Sequence, residues 1–148
     1  MTRQPSHWLA AGLLGAFIAA VLVPGLSRVS AASARGHLVL VGGGPTPVQV
    51  FDRALALSGG RRATVAVLPQ TFPDDSIADA AVSMWISLHA AEVHKVSRVD
   101  AQAALTDIER ATLIWMPGGY PSYLMRNIRD ASLRDLIRRR FAAGVNIG

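Results

Sequence analysis

The chain has 148 residues, 51% of them apolar and 17% charged, with 15 basic side chains against 10 acidic ones and no cysteine. That composition excludes a disordered tail, a collagen-like repeat and a coiled coil. The missing cysteines exclude disulfides, cysteine-ligated zinc, iron–sulfur clusters, a lipidated cysteine and a thiol nucleophile among these residues.

Residues 1–34 read as an export signal. Arg3 lies in a short polar start, Trp8 to Val23 carries no charge, Pro24 and Gly25 break the run, and Ala32-Ser33-Ala34 supplies the small residues a signal peptidase reads. Cleavage after Ala34 is expected, sending the remainder to a periplasmic or extracellular location. The alternative is an uncleaved amino-terminal anchor, because Trp8 to Leu26 is close to the length that spans a bilayer. Either way, membrane contact is expected only through the leader. Without it, 13 basic and 10 acidic residues remain, a net charge of +3.

Residues 35–148 alternate between strand and helix signals. His37 to Val41 is an apolar run ending in Gly42-Gly43-Gly44, which suits a buried parallel strand and a tight turn. Val48, Phe51 and Leu55 fall three and four apart, so a helix follows, closed by Gly59-Gly60. Ala63 to Leu68 forms the second strand, stopped by Pro69. Asp74 or Asp75 caps a helix with Ile77, Ala81, Met84 and Leu88 on its apolar stripe. Glu92 to Val96 is a third strand, and Asp100 caps a helix with Ala101, Ala104, Leu105 and Ile108 on one side. Thr112 to Met116 is a fourth strand, ending at Pro117-Gly118-Gly119. From Asp130 a last helix turns Leu133, Leu136, Ile137 and Phe141 inward and Arg134, Arg138 and Arg139 outward, and Val145 to Ile147 begins a fifth strand. This alternation predicts a three-layer α/β fold, a mostly parallel doubly wound sheet with helices on both faces.

Ligands of such sheets sit beyond the carboxyl ends of the strands, where both glycine clusters fall. Glycine lets backbone N–H groups approach a ligand, so Gly43 and Gly44 in the first loop, and Gly118 and Gly119 in the second, are candidates to hold an oxyanion or line a substrate pocket. Tyr120 and Ser122 join them, because two phenols and a hydroxyl follow the second pair of glycines. Both loops also stand as plain turns, with Tyr120 and Tyr123 covering the sheet edge. A dinucleotide fingerprint fails at Pro47, and Pro45 and Pro47 remove donors that a phosphate would use. His89 and His94 lack further ligands at zinc spacing, so no metal and no cofactor is expected. His37 reads as a satisfied structural residue. Ser122 has no neighbouring base in sequence. Arg138-Arg139-Arg140 lies on an amphipathic helix without interleaved aromatics and reads as a solvated face, so no nucleic acid is expected as a partner.

Taken in order, GHLVLVGGG at 36–44, ATVAVLPQTF at 63–72, ATLIWMPGGYPSYLM at 111–125 and LRDLIRRRFAAGVNIG at 133–148 resemble the serine peptidase family of cyanophycinase and alpha-aspartyl dipeptidase, a branch of the class I glutamine amidotransferase-like folds. The resemblance covers essentially all of 36–148. It implies a hydrolase that attacks a peptide bond beside an acidic side chain, with a peptide or acidic peptide as substrate and a serine as nucleophile. It also implies that Gly118 and Gly119 supply oxyanion-hole or pocket backbone. In that family the strand begun at Val145 runs directly into a glycine-flanked serine, so the nucleophile is expected about three residues beyond Gly148, with its partners further on. No catalytic residue is therefore expected within the chain, which reads as the amino-terminal part of a larger domain; an inactive truncated product is the alternative. Members typically carry an acidic or amide residue and then a glutamine after the two glycines, where Tyr120 and Pro121 stand here, so another peptide substrate is equally compatible. A non-catalytic exported ligand-binding module and a homodimer stay open.

Overall fold

The computed structural model describes residues 35–128 and 131–148, which fall within one compact unit spanning Ala31–Gly148. The expected export signal, residues 1–34, lies outside the described residues. Among those described, no helix is long and apolar enough to cross a membrane.

The chain runs through α1 (Val48–Leu57), β1 (Thr64–Val67), a 3-10 turn at Pro69–Thr71, α2 (Ser76–Ser87), β2 (Glu92–Lys95), α3 (Ala101–Arg110), β3 (Leu113–Trp115), α4 (Pro121–Asn127), α5 (Ala131–Ala142) and β4 (Asn146–Ile147). The strands form one parallel sheet in the order β2-β1-β3-β4, with Val65 opposite Val93 and Leu113, and Ile114 opposite Ile147. Leu38 adds a parallel bridge to Ile147 on the outer side of β4.

Strand alternation divides the core into two faces. Val65, Val67, Leu113 and Trp115 meet Phe51, Ala54 and Leu55 of α1 and Ala78, Ala81 and Trp85 of α2. Ala66, Leu68 and Ile114 meet Ala104 and Ile108 of α3, and Leu133, Leu136 and Ile137 of α5. From Leu38 the chain crosses to β1 and then β2 under α1 and α2; it returns to β3 and β4 over α3 and α5. Opposite directions of travel on opposite faces are what a single handedness of crossover requires, so this is the three-layer, doubly wound α/β architecture.

The first face is held by three aromatic rings. Phe51, Trp85 and Trp115 lie with centroids 5.0–5.1 Å apart in edge or tilted contacts, a geometry that adds about 1 kcal/mol per pair beyond area burial. This ring cluster resets the register of α2. Ala78, Ala81 and Trp85 form its buried stripe, whereas Ile77 is exposed and Met84 and Leu88 only flank the core. Of the expected stripe through Ile77, Ala81, Met84 and Leu88, Ala81 is buried as expected and the other three are displaced, because the largest side chain of the helix occupies the centre of the face.

Three further expectations change. The run His37 to Val41 is not a buried strand: Leu40 is 82% exposed, and pairing stops at Val39, whose N–H donates to the Ile147 carbonyl at 2.8 Å. Among the described residues the run pairs with β4 alone, through His37, Leu38 and Val39. Helix α4 was not expected, although Pro121 at its first position is a helix-start signal. Arg140 is not solvated; its Nη2 donates to the Ala111 carbonyl at 2.8 Å. Arg138 and Arg139 are exposed as expected. Asp100 caps α3, accepting the Ala103 N–H at 2.9 Å, and Asp74 accepts the N–H of Ser76 at 2.9 Å at the start of α2. Gly59, at φ 107°, closes α1 in the left-handed region that favours glycine.

Candidate functional site

An open α/β sheet leaves a crevice where neighbouring strands send their following loops to opposite faces. Two such places exist here. The first lies between β1 and β3, and the chain closes it on itself. The Tyr120 N–H donates to the Thr71 carbonyl at 2.9 Å, and the rings of Phe72 and Tyr120 stack at 5.5 Å with planes 12° apart. Gly119 makes this closure sterically feasible, because a Cβ there would stand 2.2 Å from the Thr71 carbonyl oxygen.

The second crevice lies at the carboxyl end of β4. On one side the segment after Leu38 departs through Gly42-Gly43-Gly44 toward α1; on the other, β3 departs through Pro117-Gly118-Gly119 toward α4 and α5. Between them opens a cleft of about 830 Å³, lined by Leu38 to Gly44, Thr46, Trp115, Met116, Gly118, Gly119, Pro121, Ile147 and Gly148. The floor is firmly tied down: the Gly148 N–H donates to the Ile114 carbonyl at 3.0 Å, and the Met116 N–H to the Gly148 carbonyl at 2.7 Å.

The two glycine loops of the sequence analysis thus share one cleft, with Gly43 and Gly44 on one wall and Gly118 and Gly119 on the other. We find no partner among the described residues for the N–H groups of Gly42, Gly43, Gly44, Gly118 and Gly119. A Cβ at Gly42, Gly43, Gly44 or Gly118 would meet no atom within 4 Å, so packing does not demand glycine there as it does at Gly119. Gly44 is also at φ 98°, where a side chain would be strained. Exposed, unengaged amides on both sides of a cleft are the means by which backbone holds a carbonyl oxygen or an oxyanion.

Tyr120 and Ser122 are placed elsewhere. The Tyr120 ring borders a smaller hollow behind the second loop, of about 180 Å³ with Thr71, Met116, Pro117 and Leu124, and Ser122 is an exposed residue of α4 that lines neither space. The sequence analysis did not single out Thr71, Thr46, Trp115 or Met116. The last two are the carboxyl end of a predicted strand, which is the signal that marks them.

No acid, base or cation lines the cleft among the described residues; Thr46 contributes the only hydroxyl. The groups with shifted pKa values gather instead at the outer corner, around β2. Hydrogen bonds from Lys95 (2.8 Å) and Arg98 (2.7 Å) hold the Asp75 carboxyl below its ordinary range, and Asp75 and Asp79 raise Lys95 in return. Arg98 further donates to the carbonyls of Pro69, Phe72 and Asp74, pinning the loop that follows β1. His94 lies 3.1 Å from Glu92, which, with Arg110, lowers the Glu92 carboxyl. These pairs organise the fold at that corner and leave the cleft to backbone chemistry.

No protein-family model matches the sequence, and no curated protein matches it. Among solved structures, the chain is similar to a peptidase from an acI-B1 Actinobacterium, with a TM-score of 0.56 and 18% identity. The match covers 78% of this chain and 54% of that one, so the chain spans about half the length of the peptidase it matches. The likeness is one of fold: a peptidase-like, three-layer α/β architecture.

Proposed function

We propose that this chain forms the oxyanion-binding half of a serine-type peptidase or related acyl hydrolase, of the cyanophycinase-like kind its motifs resemble, and that residues 1–34 direct its export. The observation that carries this reading is that Gly42 to Gly44 and Gly118, whose N–H groups have no partner among the described residues, line one cleft at the carboxyl end of β4. In a serine hydrolase with an elbow after a buried strand, the nucleophile stands on the turn that the strand enters. Here that strand is β4, and the resemblance puts the nucleophile about three residues beyond Gly148. Its oxygen attacks the substrate carbonyl carbon while its proton passes to a base; the carbonyl oxygen gains the charge and rests on the glycine amides. The C–N bond then breaks, the amine leaves with the proton, and water releases the acyl group.

The test uses the protein expressed from its gene. Treatment with a fluorophosphonate, followed by peptide mapping, is expected to place the adduct on a serine in the segment that follows Ile147. Absence of an adduct overturns the hydrolase reading. Thermal stabilisation by peptide amides without labelling would point instead to a ligand-binding module. An export role for residues 1–34 predicts a mature amino terminus at Arg35, read by terminal sequencing; retention of Met1 on the secreted protein would exclude it.

A further inference from the structure

We propose that the end of the sheet opposite the cleft, where the strands begin, docks on an anionic phospholipid surface, adding a second membrane contact to the one expected of the leader. The proposal is independent of the chemistry of the cleft. Charge in this domain is sorted along the strand direction. At the carboxyl ends of the strands, Asp74, Asp75 and Asp79 gather at the start of α2 and Asp100 caps α3. At the amino ends, arginines precede one strand after another. Arg61 and Arg62 stand before β1 in a 3-10 turn at Gly60–Arg62, Arg110 ends α3 before β3, and Arg139 and Arg140 lie in the last turn of α5 before β4. Arg35 joins them, because the N–H of its neighbour Gly36 donates to the Phe141 carbonyl at 2.8 Å.

Glu92 and Glu109 are the acids of this end, and Glu92 is taken by Arg110 at 3.0 Å. Arg35, Arg61, Arg62 and Arg139 are exposed and have no carboxylate partner among the described residues. Cations in the last turn of a helix ease its macrodipole, which accounts for Arg110, Arg139 and Arg140. That reason does not reach Arg35, Arg61 and Arg62, which lie outside the α-helices. Arg140 adds a fixed point to the face. Its Nη2 is tied to the Ala111 carbonyl at 2.8 Å, its Nε has no hydrogen-bond partner, and it borders a hollow of about 290 Å³ with Leu57, Ser58 and Gly144, a few residues from the free Arg61 and Arg62. A guanidinium already held in place takes a phosphodiester oxygen at little cost in side-chain freedom. The position of the chain selects a bilayer among polyanions. Arg35 directly follows the expected leader, so a segment that passes through a membrane delivers this end of the domain to the lipid, and the acidic end with its cleft is turned away.

The protein expressed from its gene is sedimented with vesicles of phosphatidylcholine alone and of phosphatidylcholine mixed with phosphatidylglycerol, across a range of sodium chloride. Binding to the mixed vesicles is expected to be at least about tenfold tighter than to the neutral ones, and to lose that advantage as salt shortens the reach of the charges. Each arginine removed from such a face costs about fivefold, so Arg61→Gln with Arg62→Gln is expected to weaken binding to the mixed vesicles about 25-fold. Arg126→Gln with Arg134→Gln removes the same charge from the opposite half of the domain and is expected to change it by less than about threefold. Equal binding to both vesicles, an anionic preference that salt does not weaken, or equal losses from the two double variants overturns the proposal. Tighter binding to a single-stranded oligonucleotide than to vesicles of equal charge also overturns it, in favour of nucleic acid. The lipid and salt series on the native protein decides without the variants, and neither depends on whether a serine is labelled by fluorophosphonate.

Discussion

At the amino ends of the strands, Asn146 spends both halves of its amide. Its Oδ1 accepts the His37 N–H at 2.7 Å, and its Nδ2 donates at 3.0 Å to the Ser58 hydroxyl, which donates in turn to the Ala54 carbonyl at 2.8 Å. At the carboxyl ends of β3 and β4, Gly118 and the Gly42–Gly44 loop donate to nothing among the described residues. The same sheet therefore closes one end with a buried, satisfied polar chain and leaves donors unspent at the other. Unsatisfied donors are costly when buried and cheap when exposed, where water completes them, so exposed loops can carry them. The contrast puts side-chain-mediated stability at the amino end and leaves the carboxyl end as the candidate for binding.

The largest expected effect breaks the contrast at a carboxyl-end residue that acts structurally. Gly119→Ala sets a methyl 2.2 Å from the Thr71 carbonyl, against backbone that cannot swing aside, and is expected to cost about 3 kcal/mol by denaturant unfolding. A loss below about 1 kcal/mol would mean that the two loops are not closed on each other. Next comes Asn146→Ala, which removes the donor to the buried Ser58 hydroxyl and the acceptor of the His37 N–H; about 2 kcal/mol is expected from the same measurement, with no change in ligand affinity.

A smaller effect concerns pH. The Asp75 carboxyl is held below its ordinary value by Lys95 and Arg98, so the stability it contributes is complete above the unfolded value of about 4 and is lost as pH falls through the lower folded value. Asp75→Asn is expected to lower the melting temperature at neutral pH and to match the native protein once the medium is acidic enough to protonate Asp75; a constant offset at every pH would remove the ion pairs from the account. The smallest effect is the sharpest on the comparison. Gly118→Ala, with nothing within 4 Å of the added carbon and no positive φ to relieve, is expected to leave stability within about 0.5 kcal/mol, in contrast to its neighbour.

Much of the fold was legible because burial and local propensity agree. The Ala63–Leu68 and Thr112–Met116 runs are apolar on both faces, as central parallel strands must be, and Asp100 caps its helix through a contact three residues away. The edge segment and α2 were misread for one reason. His37 to Val41 has the composition of a central strand, whereas in the structure it pairs with β4 no further than Val39 and leaves Leu40 exposed. Ile77 and Met84 fit the periodicity of α2, but Trp85 packs against Trp115 from another element and turns the helix.

The site divides in the same way. The glycine clusters at strand ends were visible as loops, since glycine in such runs signals backbone freedom whatever the neighbours are. Which glycine serves packing and which faces solvent was not visible, because Gly118 and Gly119 are identical in sequence terms and differ only in whether Thr71, 48 residues away, comes within reach. The sequence by itself determined the alternation of strands and helices, the caps and the position of the loops, all of which rest on contacts within a few residues. The tertiary structure decided which crevice closed and which glycine amides have no partner among the described residues, because those depend on strand order, a property that no local stretch of chain contains.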